Sequence, residues 1–183
     1  MIALLCEPEG YAVPFESGKD ANPRVRRRGS HTAPQEAATT GRNRVRIIGG
    51  AWRGRGIRIV AAPELRPTPD RIRETLFNWL QGVVPDACCL DLFAGSGALG
   101  LEALSRGARE VTFVESGRAA AARLRATLAE LGANGGRVVQ MDAFAFLRGA
   151  PRSYDLVFLD PPFAQGWLPE LCTLIEARGW LAP

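Results

Sequence analysis

Apolar and polar positions along this chain change pattern twice, near residue 44 and again near residue 66. From residue 87 onward, short continuous apolar runs at 87–92, 111–114, 137–140 and 154–159 alternate with segments of helical spacing at 98–105, 118–131, 144–147 and 168–178. Runs of this length without polar alternation are strands buried on both faces, so the pattern predicts an α/β fold: a doubly wound parallel sheet of about four strands, covered by helices on both sides. Upstream, 45–50 and 56–60 alternate apolar and polar, which predicts a small β-hairpin with Trp52 near its connection. Arg66-Pro67-Thr68-Pro69-Asp70 then punctuates the chain and opens a helix over 70–80, in which Ile72, Leu76, Phe77 and Leu80 recur at helical spacing. Residues 1–43 show no such period; they carry Pro8, Pro14, Pro23 and Pro34, and their basic and acidic residues nearly cancel. They are expected to be a disordered N-terminal extension. The chain thus divides into 1–43, a basic hairpin over 44–65, and an α/β domain over 66–183.

Composition narrows the chemistry. A chain of 183 residues with 46% hydrophobic content suits one domain plus a tail. No apolar run approaches the roughly 20 residues that cross a bilayer, and Ile2-Ala3-Leu4-Leu5-Cys6 is too short for a signal-peptide core. Cys6, Cys88, Cys89 and Cys172 form no CxxC pair, and His31 is the single histidine. Disulfide frameworks, histidine triads and multi-histidine metal sites are therefore excluded, and a soluble cytoplasmic protein without a metal is expected. The net charge is only +4, but nine arginines against two acids lie between Arg42 and Arg73. Such a stripe is either a solvated face or a surface for a phosphate backbone.

The first chemical motif is Asp91-Leu92-Phe93-Ala94-Gly95-Ser96-Gly97-Ala98-Leu99-Gly100, between a predicted strand and a predicted helix. Gly95 and Gly97 let a ligand approach the backbone, and the helix N-terminus favours a carboxylate or phosphate. The spacing also fits a dinucleotide site. Glu115, ending the second strand, suits a ribose diol in either case. Asp91 would repel a pyrophosphate but suits the ammonium group of a methionine moiety, and Asp142, after the third strand, is placed to meet an adenine amino group. The acids favour S-adenosylmethionine over a nicotinamide cofactor.

The second motif, Asp160-Pro161-Pro162-Phe163, ends the fourth strand, where ligands sit in open α/β sheets. An exocyclic amine on a base is a weak nucleophile because its lone pair is delocalised into the ring. A carboxylate from Asp160 and the Pro161 carbonyl can accept its N–H bonds, Pro161 and Pro162 hold those acceptors rigid, and Phe163 can stack on the base.

With these motifs the chain resembles the class I S-adenosylmethionine-dependent methyltransferases that modify exocyclic amines, and within them the RsmD-type 16S ribosomal RNA guanine-N2 methyltransferases. The resemblance runs from about Val45 to Pro183. It rests on Val45-Arg46-Ile47-Ile48-Gly49-Gly50-Ala51-Trp52-Arg53-Gly54-Arg55, on 66–80 (RPTPDRIRETLFNWL), and on the two site motifs. Asp-Pro-Pro-Phe is shared with DNA adenine-N6 enzymes; the 66–80 segment is more specific. The resemblance implies that Thr68, Asp91, Phe93, Gly95, Gly97, Glu115, Asp142 and Ala143 bind S-adenosyl-L-methionine, with Thr68 near its methionine end. It also implies that Asp160, Pro161, Pro162 and Phe163 present a guanine amine, and that Arg46, Arg53, Arg55, Arg58 and Arg71 contact RNA. The implied partner is 16S rRNA in the small ribosomal subunit or a late assembly intermediate, met by a monomeric enzyme. The alternatives are a DNA adenine-N6 methyltransferase and a catalytically dead RNA-binding protein.

Two features depart from the family pattern. Residues 1–43 have no counterpart in it, and the sequence reaches Pro183 where the family's fifth strand would begin. On the family order 3-2-1-4-5-7-6, strand four would then lie at an edge. Half-exposing four buried apolar side chains there costs about 3–6 kcal/mol, against typical totals of about 5–15 kcal/mol, so a marginal or aggregating domain is expected.

Overall fold

From residue 44 onward the period-two and period-3.6 patterns translate into strands and helices. The computed structural model describes residues 2–5, 12–14, 44–58, 68–162 and 165–182. In chain order the elements are β1 (Ile2–Leu5), β2 (Ala12–Pro14), β3 (Arg44–Arg46), β4 (Gly56–Arg58), α1 (Asp70–Trp79), β5 (Cys88–Asp91), α2 (Ala98–Ser105), β6 (Glu110–Glu115), α3 (Arg118–Leu131), β7 (Gly136–Gln140), α4 (Ala143–Arg148), β8 (Leu156–Leu159) and α5 (Leu168–Ala177). The predicted strand, helix and hairpin positions from residue 44 onward agree with these to within a few residues; 59–67 lie outside the described residues.

The main sheet has the order β2-β1-β8-β5-β6-β7. β8, β5, β6 and β7 are mutually parallel, which is the 4-1-2-3 core expected of a class I methyltransferase sheet. Side chains alternate between the two faces along each strand. On one face Cys89, Val111, Phe113, Leu156 and Phe158 pack with Phe77 of α1, Leu101 and Leu104 of α2, and Leu124 and Leu128 of α3. On the other, Leu90, Val114, Val157 and Leu159 pack with Leu147 of α4, Leu171 and Ile175 of α5, and Trp180. This is the expected three-layer, Rossmann-like arrangement.

The N-terminus corrects two expectations. Residues 1–43 are not disordered throughout: Ile2–Leu5 and Ala12–Pro14 are strands, and the rest of that stretch lies outside the described residues. Nor is strand four an edge. β1 pairs antiparallel along the whole of β8, from Ile2 opposite Leu159 to Leu5 opposite Leu156, and β2 pairs with β1 in turn. An apolar strand with an open row of backbone donors and acceptors is a template for pairing, and the apolar Ile2-Ala3-Leu4-Leu5 satisfies it. After α5 the chain returns beside the start of β8: Leu181 forms a parallel bridge with Tyr154, and the Tyr154 N–H donates to the Trp180 carbonyl at 2.9 Å.

The small β3–β4 hairpin pairs antiparallel, with Arg44 opposite Arg58 and Val45 opposite Ile57. Its inward residues Ile47 and Ile57 join the core beside α1 to α3, so the hairpin is seated on the α/β domain.

Candidate active site

Four parallel strands end on the same side of the sheet, and each ends in or just before a polar site residue. Asp91 closes β5, Glu115 closes β6, Asp142 follows β7 and Asp160 follows β8. The chain order diverges between β5 and β8, which makes this the switch point of the sheet.

The loop after β5 turns through two left-handed glycines, Gly95 (φ 51°) and Gly97 (φ 78°). A Cβ on Gly97 would collide with Leu124 Cδ1, so this position needs glycine both for its conformation and for the fit of α2 against α3. Glu115 is locked beside the loop: Gly95 N–H donates to its Oε2 at 2.7 Å and Gly117 N–H to its Oε1 at 2.6 Å. A carboxylate offers about four lone-pair directions, so both oxygens keep capacity for a diol.

Asp91 is 2% exposed and accepts from the Gly100 N–H at 3.0 Å. Burial pushes its carboxyl up to about 7; the Gly100 bond opposes this, and the Asp160 and Glu115 carboxylates add to it. A carboxyl pushed up by burial and by neighbouring carboxylates is suited to receive a cation. Asp142 caps α4, accepting from the Ala145 N–H at 3.0 Å, and Ala143 behind it is buried. Phe93 stacks on Trp167 with ring centroids 6.3 Å apart, and Phe144 meets the same indole edge-on at 5.5 Å. No sequence signal marked Trp167, four residues beyond Phe163, as part of this cluster; its two ring partners come from the loop after β5 (Phe93) and from α4 (Phe144).

At the end of β8, Asp160 is half-buried, Pro161 buried and Pro162 exposed. Thr68 Oγ1 donates to Asp160 Oδ2 at 2.7 Å. The site thus brings Thr68, Asp91, Gly95, Gly97, Glu115, Asp142 and Asp160 to one end of the sheet; Phe163 lies outside the described residues. Among the described residues, no three His, Cys, Asp or Glu side chains are grouped to hold a metal ion, and no helix is long and apolar enough to cross a membrane.

The arginine stripe separates into two kinds. Arg44, Arg46, Arg53, Arg55 and Arg58 on the hairpin and Arg71 on α1 are exposed, whereas Arg73 is fully buried. Counting Arg73 with the basic surface is therefore corrected: it faces the core one helical turn before Phe77. Arg42 and Arg66 lie outside the described residues.

A family model described as "Conserved hypothetical protein 95" matches residues 45–183. Ribosomal RNA small subunit methyltransferase D of Escherichia coli K12 is 53% identical over 143 residues, covering 78% of this chain and 72% of that protein. Its namesake in Haemophilus influenzae is 43% identical, covering 76% and 74%. Among solved structures, a putative methyltransferase from Escherichia coli superposes with a TM-score of 0.71 at 51% identity, covering 76% of this chain and 75% of that one. Together with the glycine loop, the strand-end acids and the Asp-Pro-Pro motif, these matches identify the chain as a member of the RsmD-type ribosomal RNA methyltransferase family.

Proposed function

We propose that this protein transfers a methyl group from S-adenosylmethionine to the exocyclic N2 amine of a guanine in 16S ribosomal RNA of the small subunit or its late assembly intermediate. The observation that carries the proposal is the placement of Asp160, oriented by Thr68, across the switch point from the glycine loop and its two flanking acids. The names of the relatives, ribosomal RNA small subunit methyltransferase D, support the substrate class.

The residues present fit the cofactor. Asp91 is a buried carboxyl suited to an ammonium group, Glu115 has acceptor capacity for a ribose diol, Asp142 keeps one oxygen free of its capping bond, and Phe93 and Ala143 flank the adenine side. When bound, the cofactor supplies an electrophilic methyl group on a sulfonium. The protein's task is then to hold the amine. Asp160 and the Pro161 carbonyl accept its two N–H bonds, which draws the lone pair out of conjugation and toward the methyl position. Asp160 also offers an acceptor for the proton the amine must lose. Rigid placement by Pro161, Pro162 and the Thr68 bond supplies the orientation on which such transfers depend. The exposed arginines of the hairpin would grip phosphates, for which the planar guanidinium fork is suited.

The test is transfer of labelled methyl from S-adenosylmethionine to purified small subunits, followed by nucleoside digestion. Label in N2-methylguanosine, lost by about a hundredfold or more in Asp160→Ala, is expected. Label on duplex DNA adenine, or RNA binding without any transfer, would replace the proposal with one of its alternatives.

A further inference from the structure

The buried Arg73 has no part in the chemistry above, yet it ties the basic hairpin to the segment that leads into α1. Its Nη2 donates to the Arg46 carbonyl on β3 at 2.8 Å and to Asp70 Oδ1 at 2.7 Å, and its Nε donates to the Thr68 carbonyl at 3.2 Å. Thr68 in turn donates through Oγ1 to Asp160. A short chain of hydrogen bonds therefore runs from the basic hairpin, through one guanidinium, to the carboxylate at the reaction motif.

A second buried group, next to Arg73, holds the following residues of the hairpin. Glu102, the single charged residue of α2, is fully buried and lies 3.6 Å from Arg73 Nη1. Its Oε2 accepts from the Ile48 N–H and its Oε1 from the Gly49 N–H, both at 2.8 Å, and Arg106 Nε donates to Oε1 at 2.8 Å. Ser105 Oγ accepts from the Trp52 N–H at 2.9 Å and donates to the Gly49 carbonyl at 2.6 Å. The turn fits this closely: a Cβ on Gly50 would collide with the Ser105 carbonyl, and one on Gly49 would lie 2.6 Å from Arg106 Nη2. Removing a buried charge from water is expensive, and apolar residues in these positions would pack the core as well. What a guanidinium offers instead is a rigid fork that fixes several carbonyls relative to one another.

We propose that Arg73 is a positioning residue that holds the basic hairpin in register with Asp160, so that RNA gripped by the hairpin arrives with its target amine at the carboxylate. The inference rests on the RNA methyltransferase function proposed above. It predicts that weakening Arg73 costs turnover and spares both binding steps, because the hairpin arginines and the cofactor loop are left in place.

Arg73→Lys keeps the charge opposite Glu102 but loses the fork. With small subunits as substrate, kcat is expected to fall tenfold or more, while RNA affinity and S-adenosylhomocysteine affinity stay within about threefold of wild type. A folded Arg73→Lys protein with kcat within threefold of wild type overturns the inference, as does a parallel loss of cofactor affinity, which would mark general damage. If Arg73→Lys does not melt cooperatively, Ser105→Ala loosens the same hairpin without touching a charge, and the same pattern of kcat loss or its absence decides. Wild-type protein inactive on small subunits would overturn the proposed function alone. The register would then be judged by amide exchange in Arg73→Lys: faster exchange at both 45–49 and 158–160 supports the link, and loosening at one segment only overturns it.

Discussion

Thr68 Oγ1 lies 2.7 Å from Asp160 Oδ2, joining residues 92 positions apart in the sequence. One end of this bond sits just before α1 and the other just after β8, so the segment leading into α1 is tied to the reaction motif.

Hydrogen bonds to charged groups contribute about 1.5–3 kcal/mol. Thr68→Val, which keeps the shape and removes the donor, is therefore expected to lower kcat by about 10–100-fold. Thr68→Ser, which retains the hydroxyl, is expected to stay within about threefold. Single-turnover methyl transfer separates the two variants.

The raised Asp91 carboxyl makes a signed prediction about pH. Its value of about 7 in the folded chain exceeds the roughly 3.9 of an unfolded aspartate, so between these values the native state holds more protons than the unfolded one. This group's contribution to stability is then full below about pH 4 and is lost as the pH rises to about 7, by at most about 1.4 kcal/mol per pH unit. Asp91→Asn is expected to remove that component, seen as a flatter dependence of urea midpoints on pH. A cofactor ammonium favours the ionised form, so S-adenosylhomocysteine binding below pH 7 is expected to release protons, detected by calorimetry in buffers of different ionisation enthalpy.

Gly50 has φ 73°, and its missing Cβ leaves room for the Ser105 carbonyl. Because the obstacle is backbone, it cannot rotate away. Gly50→Ala carries about 1–2 kcal/mol for the left-handed conformation, and the displacement of the turn adds to it, so a melting temperature lower by at least about 2–8 °C is expected for a chain of this size.

If Arg53 and Arg55 each meet a phosphate, replacing both with alanine is expected to reduce the slope of log affinity against log salt by about 1.4–1.8. An unchanged slope would assign RNA contact to other residues.

Much of the parallel sheet and the strand-end acids was legible in the sequence, because buried strands, helical spacing and left-handed glycines are local signals. Long-range partners were not. Arg73 and Arg71 carry the same charge in the same stripe, and only the helical face shared with Phe77 separates the buried one from the exposed one. Glu102 stood alone among the apolar residues of α2, a signal of a buried acid that needed a partner, but the Ile48 and Gly49 amides that it accepts lie more than fifty positions upstream. Pro8 and Gly10 between Ile2–Leu5 and Ala12–Pro14 are a local turn signal for the β1–β2 pair; the pairing of β1 with β8 carried no local signal, because that partner lies about 150 positions downstream.

Deleting residues 1–15 removes that neighbour. The shortened protein is expected to melt several degrees lower and to associate with rising concentration through the opened β8 edge. Differential scanning calorimetry and light scattering on the two proteins check this; a shortened protein that melts unchanged and stays monomeric would show that β1 contributes little to the sheet.

The pairing of β1 with β8 also bears on how the chain is made. Ile2–Leu5 leaves the ribosome about 150 residues before Leu156–Leu159, a delay of roughly 8–30 s at about 5–20 residues per second. The β5–β6–β7 core can assemble within that interval, while β1 waits without its permanent partner. Closure of the sheet by β1 thus waits until β8 has been made, and in the meantime Ile2–Leu5 is an apolar segment open to chaperone capture.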